Sequence, residues 1–317
     1  MLIVATFILS IVSYSYIERP FRNKDMVSRK TLINTSLLGT VLIVTISFIY
    51  ITNNGHPKRY SVSQQAILEQ LVHYKGYNEK RFDAIKLKTF TRNESYKVVL
   101  IGDSYAKDFL NIIAENDLLP NYEFSSRSIN SECGNLLLKD YNTIQKFIPK
   151  SRRSRCVILG RYEGEAINKI LLEADEIWLI SAWENWVIER LPSSIQNLKA
   201  KYKKPIRVFG LKNFGDINLK KILRIEPDTR VEFAQSIKHR AKSINHNLDN
   251  LLASYEYYHP IMNSLCGGEN NACKIFTQNQ LLMPADEGHL TKAGAIEAGI
   301  RLQGLFIKLK ETKVKNK

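Results

Sequence analysis

The chain has 317 residues, 46 Lys and Arg against 31 Asp and Glu, and a formal net charge of +15. The basic residues are spread along the chain, with no aromatic RNA-binding signature, zinc finger or basic helix beside them, so nucleic acid is not the expected partner. A basic surface facing anionic lipid heads or acidic polysaccharide accounts for the charge more simply.

In chain order, residues 1–17 carry no charged side chain and are mostly apolar, near the lower length limit for a membrane span. The alternative, a signal peptide, fits poorly: no basic region precedes the run and no small-residue cleavage site follows it. A second uncharged run over residues 31–55 is long enough to cross. Between them lie Arg19, Arg22, Lys24, Arg29 and Lys30. By the positive-inside rule this loop is cytoplasmic and everything after about residue 53 is outside. For a bacterium that means an inner-membrane protein with its main domain in the periplasm. Residues 1–52 thus read as two transmembrane helices, 53–95 as a polar connector with an amphipathic helix near 63–74, and 96–317 as the main domain. There, 97–102, 176–181 and 205–210 read as strands, and helices are expected from Tyr105, over 186–201 and 230–244, and from Thr291. Apolar strands alternating with helices predict an α/β fold, a mostly parallel sheet covered on both faces. Asp175 and Glu176 read as loop charges.

None of the four cysteines, Cys133, Cys156, Cys266 and Cys273, has the spacing of a zinc or redox dithiol site. Pairing in an oxidising compartment is expected, Cys266 with Cys273 across a short glycine-containing loop and Cys133 with Cys156; the alternative is buried free thiols. No spacing calls for a metal or a cofactor. His56, His73, His239, His246 and His259 are scattered in polar context. Trp178, Trp183 and Trp186 could stack on a sugar face, although core packing suits Trp178 better.

Gly102-Asp103-Ser104 falls where the first strand of the domain turns into a helix, the edge at which open α/β sheets place their sites. The helix start aims backbone N–H groups at the same spot, where they would stabilise an oxyanion. Asp286-Glu287-Gly288-His289 lies near the far end of the domain. There Asp286 can hold His289 Nδ1–H while Nε2 takes a proton from a serine. Either motif alone is weak, since Asp103 or Ser104 could simply cap a helix. Together, in this order, they predict a Ser104–His289–Asp286 triad.

On those residues the domain resembles the SGNH/GDSL hydrolases, a three-layer, flavodoxin-like fold. Residues 18–22 after an apolar helix, a second span, residues 54–59 and then such a domain resemble the C-terminal part of acyltransferase-3 proteins fused to an SGNH domain, which are bacterial sugar O-acyltransferases. Leu265-Cys266 and Cys273 ahead of Asp286-x-x-His289-Leu-Thr-x-x-Gly294 resemble the same subgroup. The resemblance implies acyl transfer, acetyl foremost, to a hydroxyl of a cell-surface polysaccharide such as lipopolysaccharide. The acyl group would be relayed from a membrane acyltransferase domain missing from this chain, which holds only what resembles its last two helices. The wider family draws oxyanion donors from a Gly and an Asn of two further motifs, for which Gly134 and Asn185 are the candidates. The alternatives are a carbohydrate acetylesterase, using the same triad with water as acceptor, and an inactive remnant or binding accessory.

Overall fold

The computed structural model of the chain describes residues 2–22, 27–53, 55, 57–74, 76–158, 161–225, 229, 241–266 and 273–315. Lys24, His56, His239 and residues 230–240 of the helix expected at 230–244 lie outside them. The chain divides into two compact units, Met1–Ser61 and Val62–Lys317.

In the first unit, Ser28 caps the helix Arg29–Thr52 by accepting the Thr31 N–H at 3.1 Å. Twenty-four residues at ~1.5 Å each exceed a hydrocarbon thickness of ~30 Å. None of its residues is buried within the unit. The hydroxyls of Thr35, Thr40, Thr45 and Thr52 donate to carbonyls four residues earlier, which satisfies them inside the helix as a lipid environment demands. By length and composition it is the one described helix able to cross a membrane. The first apolar run departs from expectation. It is α-helical over Leu2–Ser13, then winds into a π-helical turn at Tyr14–Glu18 before the short Arg19–Arg22 helix. Twelve α-helical residues rise only ~18 Å, so one span is clear and a second is not.

In the second unit, strands β1 (Tyr96–Gly102), β2 (Tyr122–Ser128), β3 (Glu176–Ile180), β4 (Ile206–Phe209) and β5 (Tyr258–His259) form one sheet of order β2-β1-β3-β4-β5. Every pairing in it is parallel. This is a doubly wound order in which chain direction across the sheet reverses at β1, opening a crevice between the carboxyl ends of β1 and β3. Both alternating sets of β1 side chains, Val98 with Leu100 and Val99 with Ile101, are buried, so both sheet faces are covered. On one face Phe124 meets Trp178, and Trp178 and Phe209 meet Phe109 of the Ser104–Glu115 helix and, through it, Phe306 of the Gln303–Lys315 helix. The ring centroids lie 4.6–6.1 Å apart, the range in which aromatic pairs add to area burial. The Glu165–Glu173 helix packs on β1 and the Leu191–Tyr202 helix on β4.

Strand β2 was not among the expected strands, and its sequence is interrupted by Ser125 and Ser126. Both are buried: the Ser126 hydroxyl donates to Phe82 O at 2.7 Å, and its backbone bonds with Ile85 and Leu87, which cover the sheet edge. The expected connector therefore contains two packed helices, Val62–Tyr74 and Tyr77–Ala84, with Ile67 and Phe82 buried. The helix expected at 186–201 is two, Asn185–Ile188 and Leu191–Tyr202, the second opened by Pro192. Glu176 is no loop charge. It is buried, 2.6 Å from Arg207 and accepting the Trp178 indole N–H at 2.8 Å. Disulfides join Cys133 to Cys156 and Cys266 to Cys273.

Candidate active site

Strand β1 must pass close to β3 before its turn: a Cβ on Gly102 would sit 1.6 Å from Ile180 O, so no side chain fits there. Asp103 then caps the Ser104–Glu115 helix, its Oδ1 accepting the Tyr105 N–H at 2.9 Å. Its Oδ2 accepts the Ala182 N–H at 2.8 Å, which ties the turn to the segment after β3. Burial pushes the Asp103 carboxyl up to about 6, and these two donors hold it from rising further. The N–H groups of Tyr105, Ala106 and Lys107 all turn back to Asp103. Among the described residues the Ser104 N–H has no acceptor, and it belongs to the end of the helix that favours negative charge.

The imidazole reaches this serine from the other end of the domain. Met283 O accepts the Thr291 N–H, and Ala285 donates its N–H to His289 O at 2.8 Å, closing a tight loop over residues 285–289. Gly288 lies against Tyr105, where a Cβ would come within 2.3 Å of the phenol oxygen. Thr291 then caps the Lys292–Arg301 helix, which packs along the helix begun by Ser104. His289 Nε2 is 2.7 Å from Ser104 Oγ, and His289 Nδ1 is 2.8 and 2.7 Å from the two Asp286 oxygens. Burial opposes ionisation of Asp286. The imidazole and the N–H groups of Gly288 and His289 outweigh it and hold the carboxyl at about 2. Ser104, His289 and Asp286 thus form one hydrogen-bonded chain, able to move a proton from a hydroxyl to an imidazole steadied by a carboxylate.

The two expected oxyanion donors stand outside this chain. Gly134 closes a 3₁₀ turn with φ of 68°, and its N–H is donated to Ser131 O at 2.9 Å. Asn185 is exposed at the start of a helix, where its side-chain oxygen accepts from Asn247 at 3.1 Å. Neighbouring Asn135 is buried and donates to Ile101 O and Ser181 Oγ at 3.0 and 3.1 Å, bracing the carboxyl ends of β1 and β3. Trp178 and Trp183 are core residues, whereas Trp186 is half-buried.

Sequence reading missed the support beneath His289. Asp108, one helical turn after Ser104 and fully buried, accepts from Lys212 at 2.6 Å, from the Leu290 N–H at 3.1 Å and from Asn78 at 2.6 Å. Lys212 also donates to Gly288 O and lies 3.9 Å from the centre of the Tyr105 ring. The buried pair therefore grips the backbone on both sides of His289. Burial raises the Asp108 carboxyl, with Lys212 opposing it. The available signal was an acid at position i+4 from the serine, amid the apolar Ala106, Phe109 and Ile112. Tyr74 and Tyr105 flank the imidazole at 6.3 and 6.1 Å between ring centroids. A cleft of about 570 Å³ opens beside it, with Leu211, Asn213, Ile244 and Glu287 among its walls.

A family model described as "SGNH domain (fused to AT3 domains)" matches residues 73–301. No curated protein matches the sequence. The solved periplasmic domain of the lipopolysaccharide acetyltransferase of Salmonella ser. Paratyphi A is similar at 16% identity, with a TM-score of 0.49. The alignment covers 77% of this chain and 99% of that one.

Proposed function

Since the chain belongs to the family of SGNH domains fused to AT3 domains, and so is an O-acyltransferase or acyl-ester hydrolase of the SGNH type, we propose that it transfers an acyl group, acetyl foremost, to a hydroxyl of a cell-surface carbohydrate through an acyl-Ser104 intermediate. The observation that carries the reading is the 2.7 Å approach of Ser104 Oγ to His289 Nε2, with Asp286 behind the imidazole.

In the first half-reaction Ser104 Oγ attacks the acyl carbonyl of the donor and its proton passes to His289 Nε2. Negative charge collects on the carbonyl oxygen, for which the unpartnered Ser104 N–H is the donor at hand. Gly134 and Asn185 would join it only if acceptor binding moved their loops. The tetrahedral adduct then expels the donor's leaving atom, which takes the proton from His289. In the second half-reaction a sugar hydroxyl gives its proton to His289 and attacks the acyl-serine. The sugar ester forms, the bond between the acyl carbon and Ser104 Oγ breaks, and His289 returns the proton to Ser104 Oγ. With water as the second nucleophile the same steps are hydrolysis. The fusion typical of the family favours transfer, with the acyl group relayed from a membrane acyltransferase domain and the catalytic domain in the periplasm.

The test is mass spectrometry of the protein after incubation with an activated acetyl ester. An increment of one acetyl group on the Ser104 peptide is expected, and it should be absent from Ser104→Ala. Ser104→Ala and His289→Ala should each lose about 10⁴- to 10⁶-fold in ester turnover while remaining folded. Full turnover in folded Ser104→Ala would end the reading.

A further inference from the structure

Although the cations are spread along the chain as a whole, one group of them lies on a segment tethered to the strand that leads to Ser104. Residues 139–161 hold Lys139, Lys146, Lys150, Arg152, Arg153, Arg155 and Arg161 against the single acid Asp140. Lys146, Lys150 and Arg155 are exposed, and among the described residues none of the three has an acidic partner, whereas Arg152 pairs with Glu132 at 3.2 Å.

Three links hold this insertion at the catalytic edge of the sheet. The Cys133–Cys156 disulfide fastens its far end to the turn that Gly134 closes. The Tyr141 hydroxyl fastens its near end to Cys133 O at 3.1 Å. Asn135, next to Gly134, bonds to Ile101 O, three residues before Ser104. The facing segment is just as close, since Ala182 bonds to Asp103, the residue before the serine, and Trp186 lies four residues further on.

Where the insertion meets that segment there is an aromatic platform. The rings of Phe147 and Trp186 are parallel within 4°, with centroids 5.5 Å apart. The Arg190 guanidinium lies 4.6 Å and the Lys146 ammonium 5.1 Å from the centre of the Phe147 ring. The Trp186 edge rests so close over Gly134 that a Cβ there would come within 2.6 Å of it. Phe147 remains exposed and Trp186 half-exposed.

We propose that this platform is the acceptor subsite, and that it takes an acidic polysaccharide, one bearing carboxylate or phosphate groups along a chain of sugar rings. The inference rests on the acyl-transfer reading and names its substrate class. Exposed aromatic faces suit the C–H faces of sugar rings. Arg190 is paired with Glu189 at 3.1 Å, so the complementary charge comes from Lys146 beside the ring and from Lys150 and Arg155 on the same segment, which attract and orient an anionic polymer. Anionic lipid would account for the cations alone. It would not account for stacked rings on two segments that are both bonded to the strand and turn leading to Ser104.

The experiment uses the full chain in detergent micelles and measures binding of polyglucuronate, with dextran as the neutral control, by calorimetry. Polyglucuronate should bind and dextran should not. The triple variant Lys146→Glu/Lys150→Glu/Arg155→Glu, confined to exposed positions, should weaken the affinity about tenfold or more, and Phe147→Ala should weaken it as well. Turnover of a small acetyl ester, too short to reach the platform, should be unchanged in both variants. Equal binding of dextran, or unchanged polyglucuronate affinity in both variants, overturns the proposal. So does a triple variant that loses adsorption to vesicles of anionic lipid while keeping polyglucuronate, since the cations then serve the membrane. Ser104→Ala should bind polyglucuronate as the parent does. Failure of the acyl-transfer reading would therefore show as absent acetylation of Ser104, separately from these affinities.

Discussion

Lys212 keeps its ammonium where almost no water reaches it, 2.6 Å from the fully buried Asp108, and such pairs rarely repay their desolvation in stability. What the pair does achieve is positional. Asp108, on the helix that starts at Ser104, holds the Leu290 N–H, and Lys212, paired to Asp108, holds Gly288 O, so Ser104 and the imidazole are referred to one rigid element. Lys212→Met should leave Asp108 as an unpaired buried acid and cost about 3–5 kcal/mol. The double variant Lys212→Met/Asp108→Leu should recover most of that stability in denaturant titrations. It should still turn over the acetyl ester about 100-fold more slowly, with KM little changed, because a displacement of about 1 Å at the reacting atoms costs that much. A double variant with parental turnover would show that the pair only fills space. The asymmetry in what the sequence revealed has the same origin. Ser104, Asp286 and His289 are legible because each falls in a short local motif, Gly-x-Ser or Asp-x-x-His, that points to the proposed triad. Asp108 and Lys212 are 104 positions apart and become a unit only when β4 and the Ser104 helix are side by side.

Among the elements, those buried on both faces were legible and those satisfied by neighbours were not. Strands β1, β3 and β4 read as strands because each is a short run rich in β-branched and aromatic residues, with Lys97, Glu176 and Arg207 as the single charge in each. Strand β2 is Tyr-Glu-Phe-Ser-Ser-Arg-Ser, and its two inner serines are affordable only because Phe82 O and the 85–87 backbone take up their polar groups. The first apolar run failed in the opposite sense, since hydropathy does not register the π-helical turn at Tyr14–Glu18 that ends its α-helix. The cationic insertion has little regular structure beyond short 3₁₀ turns and one six-residue helix, so covalent closure bears much of its order. Cys133 and Cys156 are 23 positions apart, and opening a loop of that length releases about 3 kcal/mol of chain entropy. The Cys133→Ser/Cys156→Ser variant should therefore lose about that much stability in urea titrations. It should also be cleaved by trypsin within residues 146–155 while the sheet resists. Parental stability and no new cleavage would mean that packing alone orders the insertion.

For the whole molecule, orientation in the membrane decides which acceptors the proposed triad would meet. The one clear span, Arg29–Thr52, begins with two cations and is preceded by Arg19 and Arg22, while the segment just after it carries Lys58 and Arg59 in a short turn. The larger cluster lies on the N-terminal side, and moving it across would oppose both the membrane potential and the attraction of anionic lipid heads. The N-terminal end of this span should stay in the cytoplasm and the unit Val62–Lys317 should be exported, whether or not the Leu2–Ser13 helix inserts beside it. Two disulfides in that unit agree, because an oxidising compartment sustains them and a reducing cytosol does not. Alkaline phosphatase, which matures only outside the cytoplasm, should be active when fused after Lys317, and a fluorescent protein that matures only inside should stay dark there. In unreduced, denatured protein all four cysteines should resist alkylation. Reversing Arg19, Arg22, Arg29 and Lys30 to glutamate should reduce the phosphatase signal, since it removes the charge difference that sets direction. A bright cytoplasmic reporter on the unaltered chain would put Ser104 where no surface polysaccharide reaches it, and the proposed acceptor would have to be abandoned.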